Sequence, residues 1–430
     1  MGKFLFLPVF LFIISCMSAQ YVEVGPFSGA VSDKSAVIIY KLSIPNQKCR
    51  VAYSTDSLLG KPEFSDLYTT SEVQANYIKV LLKKLEPDTR YFYQLELNGV
   101  ILERSRGKFR TFSDTSKSFT FAFGNSLRTE TERSGLMAAI ENDILFFLNT
   151  GDLHYDDIGI ADVGLFRNSY QKTFLRKDMA KMGKTVPFVF IWDDHDYGPN
   201  NSDKNAPGRL QSGKAYRECI PHYTLNTEEK NGAIYQAFNV NNTRFILTDL
   251  RSKRDKNSKL DNEQKTMMGK EQLTWFLKEI KASSLKYPLV IWVSSVPFTA
   301  EKKEGGDNWN GFTHERRIIA NFVKKHSINN LMIISGDAHS ISFNIGMNNN
   351  YSDYDGGGLF EILAAPLDNY VVSRKGGPWT EVYLPEKGQM IYGMVEVDYF
   401  KKKTTVRFKS FDSSHKELIQ AEKTFYNTIE

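Results

Sequence analysis

Histidine is scarce in this chain, with 7 among 430 residues, yet His154, His195 and His339 all stand in short clusters rich in aspartate. The clusters read "GDLHYDD" from Gly151, "WDDHDYGPN" from Trp192 and "SGDAHS" from Ser335. Carboxylate oxygens and imidazole nitrogens, with no thiolate cluster, suit calcium, magnesium, manganese, iron or zinc. Tyr155, inside the first cluster, adds a phenolate donor suited to ferric iron. Two cations bridged by a carboxylate can activate a water and clamp the attacking and leaving oxygens of a displacement at phosphorus. Arg251 and Arg254, in "LTDLRSKRD", have the forked geometry that holds a phosphate oxygen. Each aspartate taken singly also has a plainer reading as a helix cap or turn former. His222, His314, His326 and His415 fall outside the clusters and read as surface or core residues.

Each cluster follows an apolar run. "FTFAFG" leads to Asn125 and Ser126, "DILFFLNT" to Asp152, and "PFVFIW" to Asp193, Asp194, His195 and Asp196. "RFILT" leads to Arg251 and "NLMIIS" to Asp337 and His339. The carboxyl ends of strands in an open α/β sheet are where ligands bind, so these ends are expected to converge on one edge. After Ser118, apolar runs alternate with helical stretches such as "GKEQLTWFLKEIKAS" and "HERRIIANFVKKH", the pattern of α/β layering. Residues 21–113 read differently. "SAVIIYKLS", "CRVAYST", "YIKVLLKKL" and "RYFYQLELNG" alternate between turns, as in an all-β sandwich of fibronectin type III character. The polar "SDTSKS" is the expected linker. The domains predicted are a leader at 1–19, a sandwich at 21–113 and a catalytic domain at 117–427.

The net charge is only +5, and no basic block resembles a nucleic-acid arm; a small anionic phosphate-ester substrate fits this charge, which does not require one. The 3 cysteines, Cys16, Cys49 and Cys219, form neither a disulfide framework nor a cysteine zinc site. "MGKFLFLPVFLFIISCMSAQ" reads as a secretory leader. Two processing readings stand: cleavage after Ala19, or lipidation of Cys16 in a lipobox-like "IISC" with a tether to a membrane. Either makes the protein extracytoplasmic, periplasmic or secreted.

The motifs "GDLHYDD", "WDDHDYGPN", "LTDLRSKRD", "GKEQLTWF" and "SGDAHS", in that order, resemble the alkaline phosphatase D (PhoD-like) metallophosphatases. "GPFSGAVSDKSAVIIYKL" and "GKFRTFSD" resemble that family's N-terminal sandwich. The resemblance implies an α/β/β/α four-layer, calcineurin-like metallophosphatase domain carrying a dinuclear metal centre of iron and/or calcium. It implies hydrolysis of phosphomonoesters or phosphodiesters by a metal-activated hydroxide. By motif, Asp152 bridges the metals and Tyr155 binds iron. Asp194 and Asn200 hold the second metal, Asp337 and His339 complete the centre, and His195 acts on the leaving group. Arg251 meets phosphate. Asp193 and Asp196 support the ligands, and Arg254 and Trp309 are candidate substrate contacts. The family carries a cysteine ligand where this chain reads "FAFGNS". Ser126 or Asn125 takes that place, with His154 as a candidate substitute, which opens the metal to manganese or zinc. The rival readings are a phospholipase-like or wall-polymer phosphodiesterase, a degenerate metal-binding surface protein, and adhesion through the sandwich.

Overall fold

The computed structural model describes residues 22–129, 134–230, 232–368 and 377–426. The expected leader and Cys16 lie outside the described residues. Among the described residues, no helix is long and apolar enough to cross a membrane.

Three short parallel strands, Phe119–Gly124, Phe147–Asn149 and Phe188–Phe190, form the centre of a nine-stranded sheet. Ile391–Phe400 pairs antiparallel with the first of them, and two long hairpin strands extend that edge. A seven-stranded sheet has four parallel central strands: Thr243–Leu247, Leu289–Ser294, Leu331–Ser335 and Phe360–Ala364. Every residue of "LVIWVS" is buried, as expected for a parallel strand covered on both faces. Its side chains alternate. Ile291 and Val293 join the core shared with the nine-stranded sheet, while Val290 and Trp292 join a second core under the helices.

The two sheets pack face to face through rings. Phe121 stacks on Phe146 at 4.8 Å, and both meet Phe245 edge-on at 5.5 and 5.6 Å. Helices Gly269–Ser284 and Thr313–Lys325 pack on the outer face of the seven-stranded sheet through Phe276, Ile280, Ile319 and Val323. Val163–Leu175, Lys177–Thr185 and Arg209–Cys219 do the same for the nine-stranded sheet. The layers therefore run helix, sheet, sheet, helix.

The N-terminal strands divide between two sheets. Lys48–Ser54 and Arg90–Leu97 centre a separate six-stranded sheet. Val22–Gly29, Ser35–Leu42 and Tyr77–Lys83 instead extend the nine-stranded sheet, because Gly29 pairs in parallel with Phe188. The "SDTSKS" segment is tied down. Asn241 accepts from the Ser113 backbone at 2.8 Å and donates to the Lys117 carbonyl at 2.5 Å.

Candidate active site

The central strands of both sheets end at one place, and glycine permits it. A Cβ on Gly151 would stand 2.6 Å from the Asp193 Cβ, and one on Gly336 would stand 2.7 Å from the Ser295 carbonyl oxygen. The residues at these ends are held in the left-handed region: Ser126 at φ 61°, Asp152 at 54°, Asp157 at 47°, Asp337 at 63° and His339 at 47°. Residues other than glycine avoid this region at a cost of order 1–3 kcal/mol, and such strain concentrates at functional sites.

One ligand atom each from Asp152, Asp194 and His195 lies within 4.8 Å of the others. Tyr155 Oη donates to Asp152 Oδ2 at 2.9 Å and lies 3.2 Å from His339 Nε2. Asp152 Oδ1 and Asp194 Oδ1 are buried and have no hydrogen-bond partner. Burial, then the Asp194 charge, raises the Asp152 pKa well above the ordinary carboxylate range. Buried carboxylate oxygens that face one another unpartnered need either a proton or a cation. The donor set and its orphaned oxygens therefore fit bound cations, as the all-oxygen-and-nitrogen chemistry requires.

His195 is held by a residue to which the motif reading assigns no role. Its Nδ1 donates to Asp157 Oδ1 at 2.6 Å, which leaves Nε2 as the other ring nitrogen. Burial opposes the imidazolium, but the Asp157 bond and the Asp152 and Asp194 carboxylates outweigh it and raise its pKa to about 10. That value belongs to the cation-free cluster, since cations would offset the same carboxylates.

The neighbouring aspartates do different work. Asp196 is fully buried and accepts from the backbone N–H groups of Asp152 at 2.7 Å, Leu153 at 2.8 Å and Asp193 at 2.9 Å. It thus pins the Asp152 turn to the short helix Asp194–Tyr197, whose N-terminus Asp193 caps. Asp193 accepts from Arg251 Nε at 2.6 Å and from Ser295 Oγ at 2.8 Å.

Several expected contacts are corrected. Arg251 is fully buried and spent on carboxylates: Asp193, then Asp307 at 3.0 and 3.2 Å, with Asp194 at 3.8 Å. Arg254 is equally buried, bonded to Asp307 at 2.8 Å and Asn257 at 2.6 Å. Neither presents a free fork to solvent. Trp309 is fully buried, edge-on to Trp292 and Phe298, with Nε1 donating to Ser294 Oγ at 3.2 Å. Asn200 is exposed, and the Asp194 contact from this loop is the Asn201 backbone N–H at 2.6 Å. His154 meets the Tyr170 ring edge-on at 5.6 Å, both its ring nitrogens are buried without a hydrogen-bond partner, and burial lowers its pKa to about 4. Asn125 and Ser126 satisfy each other: Ser126 Oγ donates to Asn125 Oδ1 at 2.8 Å, and Asn125 Nδ2 donates to Thr150 Oγ1 at 3.0 Å.

Asp157 and Asp307 are the residues sequence reasoning missed. The signal for Asp157 is the doubled aspartate of "GDLHYDD", where spacing alone does not say which reaches the histidine. Asp307 sits in "KKEGGDNW" with no local mark of its role.

The family model described as PhoD-like phosphatase matches residues 140–408. Alkaline phosphatase D of Bacillus subtilis (strain 168) is 24% identical over 322 residues, which cover 62% of this chain and 54% of that protein. The chain thus spans about half the length of the curated relative it matches. A solved structure of PhoD has the same fold, with a TM-score of 0.77 at 16% identity, covering 96% of this chain and 93% of that one.

Proposed function

The chain belongs to the PhoD-like phosphatase family, and from that premise we propose that it is a metal-dependent phosphoric ester hydrolase acting on phosphomonoesters or phosphodiesters. The observation that carries this reading is the cluster of Asp152, Asp194 and His195, in which one buried carboxylate oxygen of each aspartate lacks a hydrogen-bond partner. Asp152 and Asp194 would hold a cation pair, with Tyr155, Asp337 and His339 as its further ligands. Bound there, the pair supplies an activated water and neutralises charge on the phosphoryl oxygens. Iron, calcium, manganese and zinc all remain suited to this donor set.

The chain's own residues do the rest. Asp157 fixes the His195 ring and keeps a proton on Nδ1, so Nε2 is the atom that donates to the leaving oxygen or to the phosphate. Asp196 holds the Asp152 turn through three backbone bonds, which keeps the donor atoms at fixed separation. Arg251 offsets the charge of Asp193 and Asp194 from behind. The site of action in this reading is extracytoplasmic, resting on the leader-like residues 1–19, with a tether if Cys16 is lipidated. Residues 21–113 are read as a fibronectin type III-like sandwich and 117–427 as the catalytic domain, on their turn spacing and motif content.

Element analysis of the purified protein, paired with phosphomonoester and phosphodiester assays, tests the proposal. Turnover that is abolished by chelation and by Asp152→Ala supports it. Bound metal without turnover of either ester class, under every added divalent or ferric ion, overturns it in favour of a metal-binding surface protein.

A further inference from the structure

A cavity of about 400 Å³ opens at the other end of the nine-stranded sheet from the acidic cluster. Its floor is the amino end of the central parallel strands, at Phe119, Leu145 and Pro187. Strand Phe119–Gly124 has 6 residues, which sets its two ends roughly 17 Å apart. The cavity is therefore separate from the cluster. One wall is the antiparallel pair Arg90–Leu97 and Gly107–Arg110, in which Arg90 stands directly opposite Arg110 and Phe92 opposite Lys108. Alternate residues of a strand share a face, so Arg90, Lys108 and Arg110 project together, away from the buried Tyr91 and Phe109. All three line the cavity, with Lys117 beside them.

Like charges directly opposite one another destabilise a strand pair, and the compensation here is incomplete. Asp88 accepts from Arg110 Nη2 at 2.7 Å and also pairs with Lys117. Arg90 and Lys108 are left over: among the described residues, neither side chain has a hydrogen bond or ion pair. The α/β layers bring two carboxylates to the same cavity. Glu396 pairs with Arg407 at 3.4 Å, while the exposed Asp143 has no partner among the described residues. The cationic wall is fixed in advance. Asn241, from the seven-stranded sheet's first hairpin, holds the Ser113 N–H at 2.8 Å and the Lys117 carbonyl at 2.5 Å. Binding there would cost little reordering of the backbone.

We propose that this cavity is a second ligand site, which takes a sugar-sized organic oxyanion. Arg90 and Lys108 hold the oxyanion, and Asp143 accepts a hydroxyl of the same molecule. The space exceeds what an inorganic ion fills, since one water takes about 30 Å³, and it lies in the range of small-molecule sites. Cations on one wall and a free carboxylate on the other fit a ligand that carries both an anionic group and hydrogen-bond donors. Because its partners come from both sides, the ligand links the six-stranded sheet to the nine-stranded one. The site uses none of the acidic cluster and does not depend on the phosphoesterase reading.

The test uses the full chain at low salt, where exposed charges are least screened, with glucose 6-sulfate as probe. Inorganic sulfate and glucose are the comparators. Calorimetric titration is run on the wild type, Arg90→Gln, Lys108→Gln, Asp143→Asn and Asp152→Ala. The sugar sulfate should bind about tenfold tighter than either comparator, and about tenfold more weakly in Arg90→Gln and in Lys108→Gln. Asp143→Asn should weaken the sugar sulfate without weakening inorganic sulfate, and Asp152→Ala should change nothing. Without ligand, Arg90→Gln should melt no lower than the wild type, because it removes a like-charge pair; Arg90→Lys should restore most of the binding. Absence of binding, or affinity unchanged in both Arg90→Gln and Lys108→Gln, overturns the proposal. Inorganic sulfate binding as tightly as the sugar sulfate would show an adventitious ion only, and glucose binding as tightly would remove the oxyanion contact; either overturns it. Loss of binding in Asp152→Ala would move the ligand to the acidic cluster and overturn it too.

Discussion

Replacing Arg251 with methionine tests whether this arginine is the charge that makes the acidic cluster foldable. Its guanidinium is fully buried and bonds Asp193 at 2.6 Å and Asp307 at 3.0 and 3.2 Å, with Asp194 at 3.8 Å. Methionine keeps much of the apolar stem, so the change is mainly electrostatic. Removing one partner of a buried pair leaves an uncompensated charge, and the expected loss is about 4 kcal/mol. The assay is urea denaturation in chelator, where a lower midpoint at unchanged slope reports stability. Adding the cation should shrink the loss, since a cation offsets Asp193 and Asp194 from the other side. Adding Asp307→Asn to Arg251→Met should also recover part of it, with a coupling of about 1 kcal/mol or more. A loss below about 1 kcal/mol in chelator, or strict additivity with Asp307→Asn, would refute this account.

Asp157→Asn should lower kcat by about 10- to 100-fold with KM changed less than about twofold, because it disturbs only the orientation and basicity of His195. Since the Asp157 bond raises the His195 pKa, the basic limb of the pH–rate profile should move to lower pH; an unmoved limb contradicts the dyad. Trp309→Ala should destabilise the fold by about 3–5 kcal/mol while the folded fraction keeps its KM; a raised KM with little loss of stability would restore Trp309 to the pocket wall. Burial, then the Lys79 charge, lowers the His222 pKa to about 3, below the ordinary value of about 6.5. The unfolded chain then takes up the proton first, so stability is full above about pH 6.5 and lost as pH falls toward 3. His222→Gln should flatten this acid limb by about 2 kcal/mol in denaturant midpoints followed against pH, and an identical limb in the variant would show that other groups govern it.

The strands and helices were largely legible because their signals are local. "SAVIIYKLS" and "RYFYQLELNG" alternate in place, and strands form at Ser35–Leu42 and Arg90–Leu97. "GKEQLTWFLKEIKAS" has a helical period, and a helix runs Gly269–Ser284. The strand-end clusters were visible too, since a polar run after an apolar one is a short-range pattern. What that pattern lacks is the assignment of partners. Arg251 reads as a phosphate fork until Asp193 and Asp307, 58 and 56 residues away, are seen to occupy it. Trp309 reads as a pocket wall until Trp292 and Phe298 enclose it. The parallel pairing of Gly29 with Phe188, which runs N-terminal strands into the nine-stranded sheet, likewise has no local trace.

By itself the sequence determined which residue types could bind a cation and hydrolyse a phosphate ester, and that several strand ends would carry them. Only the tertiary structure decided that Asp157 rather than Asp156 meets His195, that Asp196 braces a turn, and that a loop aspartate seals the arginines. The physical reason is that donor types are a property of composition. Which donor meets which acceptor depends on chain segments brought together over long loops, and burial then sets their charge.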